Sequence, residues 1–371
     1  MLFYISNIWG DFMKKEMITL WISIIIISLF GLLMIYSSSC VWSDYKFNDA
    51  FKYVKNQALF LIIGLILMYF ISKINFKDYY NHSNAIFIIC FILLILVLFF
   101  GTERNGSKSW FGIGSFGIQP SEFMKLAMII FTSKYLYNNR KEMGSIKKGV
   151  IPILFITLII FALIMLQPDF GTGLILVMSV IGLLFIGGVS IKFFLKIGFL
   201  GICGIIGLIM AAPYRLKRIL SFLNPWEDPL GSGFQIIQSL YAIGPGGLFG
   251  FGLGGSRQKH FYLPEPQTDF IFSIISEEFG FMGVLIVSAL FIIIIYNSIK
   301  IALKCNNLFG KYLTFGIAFE LAFQTILNLM VVVGLLPVTG VTLPFLSYGG
   351  SSLLITLLSM GIILNISRHQ K

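Results

Sequence analysis

The sequence predicts an all-α polytopic membrane protein with ten transmembrane helices and a long extracellular loop between the seventh and the eighth. Composition is the first observation behind this. The chain of 371 residues is 57% apolar and only 12% charged, about half the charge of an ordinary soluble domain, and its mean hydropathy is +0.91. The second is the recurrence of apolar runs of roughly 17 to 25 residues, each long enough to cross a bilayer. The third is that two connections between those runs are long and rich in glycine, serine and aromatic residues, while the rest are tight.

The first run, 18–38, has no small-residue cleavage site behind it and reads as an anchor, not a removed leader. Further spans are expected at 57–72, 85–100, 123–137, 150–166, 171–189 and 193–212. After the long loop come 270–296, 312–336 and 347–366. The whole of 1–371 reads as one membrane domain, with outer loops at about 101–121 and 213–268. Per residue, lysine and arginine concentrate in the connections on the N-terminal side, most densely in NNRKEMGSIKK at 138–148. That bias places both termini in the cytoplasm.

The net charge of +11 does not point to nucleic acid, because the basic residues are scattered between spans. Orientation and anionic lipid account for it better. Cys40, Cys90, Cys203 and Cys305 form neither a disulfide framework nor a CxxC metal pattern. His82, His260 and His369 are too far apart for a histidine-rich metal site. Gly250, Gly252 and Gly255 formally match GxGxxG, but no strand precedes them and no βαβ unit surrounds them, so a dinucleotide site is excluded.

The chemistry is expected where the long loop enters the eighth span, in RQKHFYLPEPQTDFIFSIISEEFG at 257–280. Asp269 stands at that junction, behind Pro264 and Pro266, which restrict the backbone ahead of it. An acid at the mouth of a membrane bundle is a functional candidate, and partial burial would make it a better general base. The competing reading is a plain helix cap. Glu277 and Glu278, two turns on, should meet different partners, with either structural or catalytic purpose. Glu122 and Lys125 are spaced to pair with each other; alternatively, Lys125 neutralises a phosphate. Asp169, flanked by Pro168 and Gly171, reads as a turn acid. Glu320 lies mid-span and should face protein or a water-filled cavity.

Arg215, Lys217, Arg218, Arg257 and Lys259 flank the long loop, where basic groups suit a diphosphate headgroup or ordinary snorkelling. Glu265 lies beside Asp269, and Trp110 in the shorter loop. Ser347 begins a serine- and glycine-rich irregular turn before the last span, which needs protein or water around it.

These stretches resemble a known family. NPWEDPLGSGFQIIQSLYAIGPGGLFGFGLGGSRQKHFYLPEPQTDFIF looks like the signature loop of the SEDS proteins (shape, elongation, division and sporulation). QPSEFMK, LQPDFGT and LPVTGVTLPFLSYGGSS follow in the family's order. The YLPE and QSLYAIGPGG wording is similar to the FtsW and SpoVE branch more than to RodA. The resemblance implies a bacterial plasma-membrane peptidoglycan glycosyltransferase that polymerises lipid II onto a glycan carried by undecaprenyl diphosphate. It implies that Asp269 is the essential acid, that Trp110, Glu122 and Lys125 are functionally important, and that a divalent cation (Mg or Mn) is required. It also implies a class B penicillin-binding protein as partner, with other division or sporulation membrane proteins. A lipid II flippase and a non-catalytic divisome scaffold are the alternatives. The first would use Glu277, Glu278 and Glu320 as a polar path, whereas the candidate groups cluster towards the outer side.

Overall fold

The computed structural model describes residues 15–104, 107–112, 117–196, 198–199, 201, 222–231 and 233–369. Arg215, Lys217, Arg218, Cys203 and most of the expected span 193–212 lie outside them. Helices dominate: α1 (Lys15–Phe47), α2 (Lys52–Ile71), α3 (Phe76–Phe100), α4 (Pro120–Asn138), α5 (Ile151–Met165) and α6 (Phe170–Ile186) come first. A short α7 (Phe234–Ile243) follows, then α8 (Ile271–Lys304), α9 (Leu308–Val332) and α10 (Gly350–Arg368). A two-stranded hairpin, β1 (Thr102–Arg104) with β2 (Ser107–Trp110), sits between α3 and α4.

Local chemistry sets several boundaries. Asn75 caps α3 by accepting from Lys77 N (3.0 Å), and Asn307 caps α9 by accepting from Gly310 N (3.1 Å). Pro120 opens α4, where its missing N–H costs nothing. Among the described residues, seven helices are long and apolar enough to cross a membrane, α5 being counted with the turn before it. α2, α3, α5 and α8 turn large apolar side chains outward, such as Ile62, Ile89, Phe155 and Ile292, the surface a lipid solvent favours. α9 and α10 lie inside. Their glycines allow close approach: a Cβ on Gly316 would meet Ile129 and Leu183, and one on Gly361 would meet the Met68 carbonyl.

Contacts between helix ends define two faces of the bundle. At one, Glu16 meets Lys304 (2.6 Å) and Lys300 (3.0 Å). There too Asn365 bonds Phe76 N and the Ser72 carbonyl, so both described ends of the chain lie together at this basic end. The opposite face gathers the hairpin, α7 and the turns around 166–169 and 333–349, and is called the loop end below.

α7 was not expected within the long loop. Its buried face, Ile236, Ile237, Ser239 and Ala242, packs on α8 and α9. Ser239 Oγ lies 2.8 Å from Ser273 Oγ and donates to the Val332 carbonyl (2.6 Å). α8 is also broken where the sequence suggested continuity. Gly280 has φ +61° and ψ −158°. Around the break, Phe251 N and Gly252 N donate to the carbonyls of Glu277 and Glu278, while Phe281 N and Met282 N donate to those of Gly247 and Leu248. A Cβ on Gly280 would lie 2.5 Å from Gly250 N, so only glycine tolerates both the conformation and the contact.

The break separates the segment 271–279, which carries Glu277 and Glu278, from the long remainder of α8.

Candidate active site

Asp269 is half-buried at the loop end, directly before α8. Phe270, not Asp269, occupies the cap position of α8, and no side chain caps it, so the plain-cap reading does not hold. The Asp269 carbonyl accepts from Asn328 Nδ2 of α9 (2.8 Å), and the same amide nitrogen donates to the Val341 carbonyl (2.8 Å). Gly340, with φ +72°, presents no side chain to the acid; a Cβ there would lie 3.8 Å from Asp269 Oδ2. Burial first, and then the negative charge of Glu265, push the Asp269 carboxyl up to about 6. Glu265 is exposed, with φ +44°, and its carbonyl accepts from Thr268 N and Thr268 Oγ1. Three buried oxygens on this segment or beside it have no partner: Gln267 Oε1, Asn328 Oδ1 and Thr339 Oγ1.

A second cluster lies below, between α4, α9 and α10. Lys125 Nζ is 3.2 Å from Glu122 Oε2 and 3.3 Å from Glu320 Oε1, and it donates to Gln324 Oε1 (2.9 Å). The pairing of Glu122 with Lys125 was expected; the addition of Glu320 from α9 makes it a bridge between helices. The cavity they line with Thr356 and Ser359 is small, about 20 Å³, room for about one water.

The third cluster joins the long loop to the break in α8. Glu278 accepts from Ser37 Oγ at both oxygens (2.7 Å each) and from Ser256 N (3.3 Å), and pairs with Lys259 (3.2 Å). Lys259 also donates to the Gly254 carbonyl (2.7 Å). Glu277 accepts from Ser256 Oγ (2.5 Å), Arg257 N (2.9 Å) and Gln258 N (3.4 Å). The two glutamates do meet different partners, and the cation, Lys259, comes from the loop. Lys259 is 5% exposed. It is committed to Glu278 and does not stand at the surface for a headgroup, which corrects that expectation.

Ser347 sits in the irregular turn expected of it, with protein around it. It is buried, its Oγ accepts from Leu343 N (2.8 Å), and its carbonyl accepts from Gln57 Nε2 (3.2 Å); it closes its own turn. Asp169 caps α6 by accepting from Thr172 N (3.2 Å), and Gln119 Nε2 reaches its other oxygen (2.8 Å). Trp110 is half-buried at the end of β2, and its carbonyl accepts from Thr102 Oγ1 (3.1 Å). Arg257 is exposed. Its guanidinium lies over the Phe251 ring (5.4 Å), beside a cleft of about 510 Å³ lined also by His260 and Tyr262.

Sequence reasoning missed Gln57, Gln324, Asn328 and Ser37. A signal was present for two of them: Glu320, Gln324 and Asn328 recur every four residues in FELAFQTILNLM, one polar face on an otherwise apolar helix.

The family described as "Cell cycle protein" (FTSW_RODA_SPOVE) matches residues 17–371. Stage V sporulation protein E of Bacillus subtilis (strain 168) is 54% identical over 343 residues, 92% of this chain and 94% of that protein. The probable peptidoglycan glycosyltransferase FtsW of Geobacter sp. (strain M18) is 39% identical, over 96% of this chain and 97% of its own. Among solved structures, one described as "Structural coordination of polymerization and crosslinking by a peptidoglycan synthase complex" superposes with TM-score 0.78 at 31% identity, covering 95% of this chain and 98% of that one. The rod shape determining protein RodA of Thermus thermophilus gives 0.70 at 28%, covering 95% and 97%. A match over nearly the whole chain, the shared motifs and the apolar bundle lead to one conclusion: this is a multi-pass membrane protein, and it belongs to the FtsW/RodA/SpoVE family.

Proposed function

We propose that this protein is a peptidoglycan glycosyltransferase that polymerises lipid II, with Asp269 as its general base. The observation that carries the reading is the Asp269 carboxyl: half-buried, free of any capping bond, and pushed up to about 6. That value is suited to taking a proton near neutral pH. In the reaction, Asp269 removes the proton from the 4-hydroxyl of the acceptor sugar. The hydroxyl oxygen bonds the anomeric carbon of the donor glycan, and that carbon's bond to undecaprenyl diphosphate breaks, the leaving diphosphate keeping the electron pair. We assign the task of meeting that charge to Arg257, exposed beside its cleft. A divalent cation is also implied. Among the described residues, however, no group of three or more His, Cys, Asp or Glu side chains could hold one, and no step is assigned to it.

The chain would cross the membrane ten times. The long helices α1–α6 and α8–α10 supply nine crossings. The tenth is the expected span 193–212, most of which lies outside the described residues. The loop end faces outward and both termini are cytoplasmic, in keeping with the lysines at 138–148. The partner is a class B penicillin-binding protein. A likeness to a complex that couples polymerisation to cross-linking supports it.

The test is polymerisation of lipid II by the purified protein with its cognate transpeptidase and a divalent cation, wild type against Asp269→Asn. Glycan polymer from the wild type alone, with the variant folded and partner-bound, is the expected result. Equal polymer from both removes Asp269 from the chemistry, and translocation of lipid II without polymer would favour the flippase.

A further inference from the structure

The polar face of α9 connects two of the clusters. Gln324 takes the Lys125 ammonium on Oε1 and gives Nε2 to the Thr342 carbonyl (3.0 Å). One turn on, Asn328 gives both protons of its amide to the carbonyls of Val341 and Asp269. Both partners are acceptors, so the orientation of this amide is fixed. Gln324 and Asn328 thus hold consecutive carbonyls of the 339–343 loop, and Asn328 alone also holds the Asp269 backbone. Asn328 is 1% exposed, and its Oδ1 is left without a partner. A buried oxygen in that state opposes stability, while the two donated protons satisfy carbonyls that a leucine of similar shape would leave unpaired.

We infer that Asn328 is the positioning residue of the site: it pins the Asp269 backbone to the 341 loop, holding the carboxylate over the bare face of Gly340 and away from bulk water. The inference rests on the reading of Asp269 as the base. Asn328 does not touch the carboxylate, so it acts only through where the acid is held. Among the described residues, the titratable and charged groups on the surrounding elements are Glu265 on the acid's own segment, Asp169 at the head of α6, Tyr53 of α2, Tyr348 beside Gln267, and the Glu122–Lys125–Glu320 cluster below. Asn328 bonds none of their side chains. Its loss should hydrate the carboxyl without changing a charge.

The experiment is an infrared titration of the carboxyl in purified protein, taken as the difference between each background with Asp269 and the same background with Asp269→Asn. The parent should titrate near 6. In Asn328→Leu the midpoint should fall towards the ordinary aspartate value of about 4, and polymerisation should drop at least about tenfold, the size of a lost orienting contact. Gln324→Leu, one turn away, should leave the midpoint in place. If Asn328→Leu does not fold, Asn328→Ser, which keeps a single donor, should give a smaller fall in the same direction. An unchanged midpoint in the folded Asn328 variant overturns the inference, whatever happens to activity. An equal fall in Gln324→Leu overturns the assignment to Asn328. Absence of polymer from the wild type would instead defeat the catalytic reading, and the titration would still decide where the acid is held.

Discussion

The Asp269 segment and the Lys259–Glu278 cluster both bury acids at the loop end, and they are built in opposite ways. Glu278 has three donors on its two oxygens, from Ser37, Ser256 and Lys259, and Glu277 has three more from residues 256–258. Asp269 has its backbone held and, among the described residues, its carboxylate left open beside a glycine, with three orphan oxygens on the neighbouring segments. A saturated buried ion pair loses its freedom to act on anything else. Its task here is to hold the inserted loop in the break of α8. An acid held by its backbone alone keeps its lone pairs for a substrate. On the proposed reading, the degree of satisfaction separates the structural charge from the functional one.

That contrast can be broken by mutation. The largest effect expected is that Asp269→Asn lowers lipid II polymerisation by about a hundred- to ten-thousand-fold, the range for a lost general base, with no loss of melting temperature. Retained activity would mean that an unsatisfied acid is not a marker of chemistry here. Next, Lys259→Met should destabilise the fold by about 3–5 kcal/mol, because Glu278 is left buried and uncompensated. Adding Glu278→Leu should restore much of that. Thermal unfolding in detergent distinguishes this from a substrate-binding lysine, whose loss would raise KM and leave stability alone.

The pH dependence sharpens the comparison. A base must be deprotonated, so polymerisation should fall about tenfold per unit as pH drops below about 6. Stability should run the other way. The folded pKa of Asp269 lies above the unfolded value of about 4, so its contribution is fully present below pH 4 and is lost as pH rises through about 6. Asp269→Asn should therefore show a flatter melting profile than wild type across that window. The smallest effect is expected at Asp49, whose carboxyl is held below its usual range by Lys55 but lies at the surface. Asp49→Asn should leave both activity and melting temperature unchanged within error.

Much of this architecture was legible in advance. Expected spans at 57–72, 150–166, 171–189 and 347–366 correspond to α2, α5, α6 and α10 within a few residues at most ends, because a run of apolar side chains between polar turns has one low-energy state in lipid. The acid of the site was legible too, since an isolated carboxylate at the head of an apolar run is conspicuous. Its partner Asn328 was not. An amide in an apolar helix signals that something polar lies opposite, but not which backbone carbonyls, 59 residues away in one case. The helical segment α7 escaped notice because its apolar face is short and surrounded by glycine.

By itself, then, the sequence determined the membrane-spanning elements, the family motifs and the candidate acid, all properties of local composition and spacing. Only the tertiary structure decided which charges are spent. Lys259 looked like a surface cation until the loop carrying it was seen inserted at Gly280. The physical reason is that a polar group's role depends on which donors and acceptors reach it, and those arrive from segments that the chain brings together only when it folds.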